Sequence, residues 1–243
     1  MKTPIEVQSP KPTVQSMATC SIGNAARARR LQLSMSVRLL LALALSVSLT
    51  GCFGFLKPAK ATARHFVLSS LPAAAPAAPP GGAVAVGVGV GQIKLATYLF
   101  NTSFAVRKGT NEIDYLPATF WAERLDSGLQ RVLAANLATL LPTDQIRLSA
   151  WQNADVSSEV YVAVEQFDVD ARGQGVIAAW WRILSPGGEK TLKAGECRLV
   201  RQGPPPYTNP SGAVATLSEL AADLSRQVAQ AVNETTSSSG RTR

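Results

Sequence analysis

Trp121, Leu125, Leu129, Val132, Leu133, Leu137 and Leu140 recur at intervals of three and four residues. That period gathers them on one side of an α-helix. A second stripe, Val214, Leu217, Leu220, Ala221, Leu224, Val228 and Val232, lies near the C-terminus, with Glu219, Asp223, Arg226 and Gln230 opposite it. A helix with one apolar stripe must bury it against something. The remaining chain supplies the partner, because its period is two. Val84, Val86, Val88 and Val90 alternate within residues 83–99, and EVYVAVEQFDVD (159–170) alternates cleanly. VIAAWWRIL (176–184) is an apolar strand, and residues 189–200 return from the Ser185-Pro186-Gly187-Gly188 turn. Residues 65–71 and 145–151 read as further strands. Residues 103–115 read as a hairpin turning at Lys108-Gly109-Thr110-Asn111.

These patterns predict an α/β (α+β) fold. It is a single two-layer domain, a mixed, mostly antiparallel sheet of about seven or eight strands packed by two amphipathic helices. The domain is placed at residues 65–233, followed by a disordered tail over 234–243 rich in Ser, Thr and Arg. Pro142 disfavours helical geometry at Leu141 and so ends the first helix. Gly128 inside that helix suggests a close approach to the sheet. Residues 73–82, AAAPAAPPGG, form a semi-extended connector, and residues 203–212 a loop with a turn at Asn209-Pro210.

Ahead of the domain, Leu39 to Thr50 is an apolar run of 12 residues. A membrane-spanning helix needs roughly 20. The run suits the centre of a secretory signal, which is about 7–15 residues behind a positive charge, here Arg38. Residues 35–51 read as a complete signal peptide starting at Met35, with residues 1–34 an overextended N-terminus; a long basic n-region is the alternative. Peptides from residues 1–30 in native material would rule out the Met35 start. Leu49-Thr50-Gly51-Cys52 resembles the bacterial lipobox, so cleavage is expected between Gly51 and Cys52 and lipid attachment on Cys52. No other cofactor is expected besides that covalent N-acyl diacylglyceryl lipid. Acylation by one chain holds a protein weakly and several hold it firmly. Phe53, rather than Asp, follows the cysteine; by resemblance to lipoprotein sorting, that favours the outer membrane. Residues 52–64 form a tether, whose twelve residues FGFLKPAKATAR reach at most roughly 40 Å.

The net charge of +8 suggests an anionic partner until it is located. From Cys52 onward there are 18 Lys and Arg against 15 Asp and Glu, with no basic cluster. Nucleic acid is therefore not an expected partner. Of the three cysteines, Cys20 precedes the cut, Cys52 carries lipid, and Cys197 is left without a disulfide partner. Cys197 reads as a small core residue; no histidine is near to activate it.

Little in the chain suggests catalysis. The sole histidine is His65, and no His, Cys and carboxylate spacing suits a metal. Gly87, Gly89 and Gly91 alternate inside a strand instead of preceding a helix, which is wrong for a phosphate loop and right for close packing by a neighbour. Asp168 and Asp170 share a strand face just before a turn, where solvated acids are ordinary. Trp180 and Trp181 must point to opposite faces. Both read first as core, the alternative being that one meets a helix, lipid or partner.

HFVLSSLP (65–72), VGVGVGQIKLATYL (86–99) and FWAERLDSGLQRVLAANLATLL (120–141), following Cys52, resemble the ABC-type transport auxiliary lipoprotein family, the paraquat-inducible protein C group. The likeness spans roughly residues 52–233. One departure is Ala96-Thr97-Tyr98-Leu99, where the family usually has Pro-x-Tyr-Leu. The resemblance implies a non-enzymatic accessory lipoprotein in the Gram-negative envelope, on the inner leaflet of the outer membrane and facing the periplasm. Its implied partners are a mammalian-cell-entry (MCE) domain protein and an inner-membrane ABC permease and ATPase that move lipid between membranes; a homo-oligomer, in ring form, is a further expectation. A lipid-binding carrier is the alternative role. Tyr98, Leu99, Trp121, Trp180 and Trp181 are the residues set aside as partner or structural contacts.

Overall fold

The thirteen-residue strand Ser158–Asp170 organises the sheet, because every long pairing passes through it or its neighbour. The computed structural model describes residues 62–72 and 87–239, leaving aside 142, 144 and 149. Cys52, the signal, most of the tether and the Ala/Pro connector fall outside the described residues. In chain order the strands are β1 (Arg64–Phe66), β2 (Val88–Val90), β3 (Lys94–Leu95), β4 (Ser103–Gly109), β5 (Glu112–Trp121), β6 (Ile146–Leu148), β7 (Ser158–Asp170), β8 (Gln174–Leu184) and β9 (Thr191–Gln202). The helices are α1 (Leu125–Leu140) and α2 (Pro210–Ser239).

Antiparallel β8 lies along one edge of β7, and β9 along β8. Three short strands share the other edge in succession, all parallel to it: β2 at 158–160, β3 at 163–164 and β4 at 169–170. The β4–β5 hairpin and parallel β1 extend the sheet beyond β4, and β6 extends it beyond β2. Among the described residues this is a nine-stranded mixed sheet, and its long pairings are the antiparallel ones.

Alternation along β7 and β8 puts Val160, Val162, Val164, Phe167, Ile177, Ala179 and Ile183 in the core. Both helices cover that face. α2 lies across β7 to β9, and α1 sits over β2 and β6 against α2. Leu129, Val132 and Leu137 of α1 and Leu217, Leu220 and Val228 of α2 complete one continuous cluster. Truncating such a leucine to alanine typically costs about 2–5 kcal/mol. The helices are joined by Asn136, whose Nδ2 donates to Ser225 Oγ at 3.0 Å. Asn136 Oδ1 also accepts from Leu71 N (2.7 Å), and Ser69 N donates to Ser218 Oγ. The chain after β1 is thereby strapped to the helical layer.

Several elements differ from the sequence reading. Trp121 belongs to the end of β5, not to α1, because β5 continues past the hairpin to pair with β1. A register shift between Ser103 and Ala105 accommodates Pro117 and left-handed Ala118 (φ 51°) on the longer strand. Helix α1 ends where expected, with Leu141 extended at ψ 149°. A Cβ on Gly128 would meet the Glu123 side chain at 3.0 Å, so its tight neighbour is that carboxylate and not the sheet. Helix α2 starts early, since Asn209 Oδ1 accepts from Gly212 N (2.9 Å) as a cap ahead of Pro210. It also continues to Ser239, through residues expected to be a disordered tail. Thr235, Thr236 and Ser237 satisfy their hydroxyls on carbonyls three or four residues back, and Thr235 is buried. Of the described part of the glycine-rich stretch, from Gly87 on, 88–90 and 94–95 are strand and Thr97–Phe100 is a 3₁₀ turn. Ala96 N donates to Val164 O (2.9 Å), a bond that a proline there could not make.

Candidate docking face

With both helices on one side, the other side of the β7–β8–β9 sheet is uncovered among the described residues. Register sets out what it carries. Lys94, Ala163, Trp180 and Glu196 stand in one row across four strands, and Tyr161, Arg182 and Ala194 in the next. The two alanines make a low floor between larger side chains. The result is a trough of about 600 Å³ bordered by Lys94, Tyr161, Trp180, Arg182 and Glu196. Trp180 is 51 % exposed. A bulge at Glu165 frees that carboxylate to accept from Trp180 Nε1 at 2.9 Å. The indole edge is therefore fixed while its ring remains in solvent. Val200, also half exposed, extends the same face.

Two buried carboxylates stiffen this face at either end. Asp168 is 1 % exposed. It accepts from Arg107 Nη2 (2.7 Å) and Nε (3.1 Å), from Tyr98 Oη (2.7 Å) and from Gln166 Nε2 (2.9 Å). Tyr98 Oη in turn accepts from Phe167 N, and its ring lies under the Arg107 guanidinium. Burial, then the Asp168 charge beside it, pushes the Tyr98 hydroxyl well above its ordinary value of 10.0. At the other end Glu159 accepts from Trp151 Nε1 (3.0 Å), Tyr161 Oη (3.2 Å) and Gly187 N (2.9 Å). Both acids have their oxygens committed to fixed donors, which suits a rigid scaffold better than proton transfer. Asp170 caps the following turn by accepting from Arg172 N and Gln174 N.

The five residues singled out from the sequence separate clearly. Tyr98 is the half-buried hub just described, and Leu99 is buried. Trp121 is buried with its ring 5.4 Å from that of Phe104. Trp181 is core, lying so close over Gly195 that a Cβ there would sit 2.4 Å from Cζ2. Trp180 alone of the five presents its ring to solvent, which corrects the first reading of both tryptophans as core. Cys197 is half buried opposite Ala179, and desolvation pushes its thiol pKa up, away from reactivity. Among the described residues no group of His, Cys, Asp and Glu could hold a metal, and no helix is long and apolar enough to cross a membrane. The Arg107 and Glu159 clusters were missed in the sequence. Their only signal was an acid on an otherwise apolar strand; the Arg107 and Tyr98 partners of Asp168 lie more than sixty residues away, while Glu159 takes Tyr161 and Trp151 from two and eight residues away and Gly187 from across a turn.

A family model described as an ABC-type transport auxiliary lipoprotein component matches residues 66–229, from β1 to the middle of α2. The chain belongs to that family. ABC-type transport auxiliary lipoproteins serve transport systems of the cell envelope, and the match spans the sheet, both helices and the trough. Two crystal structures are similar in fold. One, of a Xanthomonas campestris protein, is 14% identical, with TM-score 0.59, over 74% of this chain and 100% of that one. The other, of an uncharacterized protein, is 20% identical, with TM-score 0.57, over 71% and 99%. No curated protein matches the chain.

Proposed function

We propose that this auxiliary lipoprotein is held at the outer membrane by lipid on Cys52 and docks a periplasmic MCE-domain assembly through the Trp180 trough. The observation that carries the docking role is the exposed Trp180 ring on a rigid, uncovered sheet face. Exposed, pre-positioned aromatics are the usual anchors of protein interfaces. The family match supports membership of an ABC transport system. The trough's border mixes Lys94 and Arg182 with Glu196, a polar rim around an apolar floor, as interface centres have. The carrier alternative needs an apolar cavity between sheet and helices, where one continuous cluster of buried side chains packs. Ring assembly through the long edge strand β9 is compatible with this role. It would leave the trough beside each subunit junction.

The test is purification of the tagged chain from cross-linked membranes. Co-purification of an MCE-domain protein, lost in Cys52→Ser, is the expected result. Stoichiometric phospholipid in native mass spectra, with no such partner, would replace docking with carriage.

A further inference from the structure

The strands at the tether end of the sheet present a second exposed surface, separate from the trough. β1 runs parallel to β5, so Phe66 and Trp121 finish at the same end, where Ala122 N donates to Phe66 O. β4 starts there too, with Trp121 N donating to Thr102 O. Val67 and Phe100 thus emerge at one rim, 50 % and 53 % exposed. Arginines accompany them. Arg124 lies over the Phe100 ring at 5.8 Å, and Arg64 over Phe66 at 5.0 Å. Arg124 does pair with Asp126, but its side chain is 68% exposed while that of Asp126 is 3%. The acid is inside and the cation outside. The neighbouring Glu123 is paired with Arg131, and among the described residues Arg64 has no ion pair.

In sequence the tether ends at Arg64, two residues before Phe66 at this rim. Between Cys52 and Arg64 there are eleven residues, which span at most roughly 40 Å. They contain Lys57 and Lys60 and no acid. Exposed apolar side chains interleaved with cations, on a short basic leash, match the boundary between acyl chains and anionic headgroups.

We propose that the rim formed by Val67, Phe100, Arg64 and Arg124 seats on an anionic phospholipid bilayer. This orients the domain on its membrane and leaves the Trp180 face free for a protein partner. The proposal rests on Cys52 being the anchor. The lipid supplies attachment; the rim supplies orientation.

The experiment is hydrogen exchange by mass spectrometry on the full chain purified from membranes, reconstituted in phosphatidylcholine vesicles with or without phosphatidylglycerol. Exchange over residues 97–103 and 121–125 should slow several-fold with phosphatidylglycerol. Residues 174–184 should be unchanged, and added salt should reverse the effect. The variant F100D/R64E, which touches no ion pair among the described residues, should lose the slowing while retaining the wild-type melting temperature to within a few degrees. The single variant Phe100→Ser, which leaves the Arg124–Asp126 pair intact, should lose most of it as well. Lipid-modified Cys52 by intact mass, with equal exchange in both vesicles, would overturn the bilayer contact alone. Unmodified Cys52 in membrane-purified protein would overturn the anchor reading, and the seating proposal with it.

Discussion

Trp180 and Trp181 are consecutive in β8 and lie on opposite faces of the sheet, one half in solvent beside Glu165 and the other packed into the core over Gly195. Their substitution effects should divide in the same way. Trp181→Ala removes a buried ring and should cost about 3–5 kcal/mol of stability. Trp180→Ala should alter stability by only about 0.5 kcal/mol and weaken partner binding at least tenfold. Urea titration and a binding isotherm on the same two variants check both halves.

Arg107 and Asp168 form a pair in which the acid is the buried member. Arg107→Ala strands that charge and should cost about 3–5 kcal/mol. Asp168→Ala in the same chain should return part of the loss, because no buried charge then remains. A double-mutant cycle measured by chemical denaturation would show strong non-additivity.

Tyr98 gives a pH signature. Its folded pKa is raised, so the folded state keeps a proton that the unfolded state releases near 10.0. Its contribution to stability is therefore full below that pH and is lost as the pH climbs above it. Tyr98→Phe, which deletes a hydrogen bond to a carboxylate, should be about 1–3 kcal/mol less stable at neutral pH. The gap between wild type and variant should start to narrow near pH 10.0 and go on narrowing as the pH climbs towards the raised folded value, as read by denaturation at each pH.

The glycines at 87, 89 and 91 serve close packing. A Cβ on Gly87 would lie 2.2 Å from the Asp155 carbonyl oxygen, a backbone atom with no rotamer to change. Gly87→Ala should cost about 1–3 kcal/mol. Gly109→Ala, where the nearest atom is Glu112 Cβ at 4.0 Å, should be close to neutral. Melting temperatures of the two variants make the comparison.

Periodicity made both helices and the β7–β8–β9 meander legible, because an amphipathic stripe and a half-buried strand each leave a local repeat. The same locality hid other features. β5 runs on to Trp121 only because β1, some fifty residues earlier, pairs with it. Helix α2 continues past Val232 because Thr235 finds a buried position, which composition could not reveal. Trp180 and Trp181 were visibly on opposite faces, but which face is covered depends on where α2 lands. Asp168 looked like an ordinary turn acid until Arg107 and Tyr98 were folded against it.

The most direct test of docking through Trp180 is photocrosslinking in intact cells with p-benzoylphenylalanine in place of Trp180, and separately in place of Arg226 on the solvent side of α2. The account predicts an adduct with an MCE-domain protein from position 180 and none from 226. No such adduct at 180, or the same adduct at 226 instead, would contradict it.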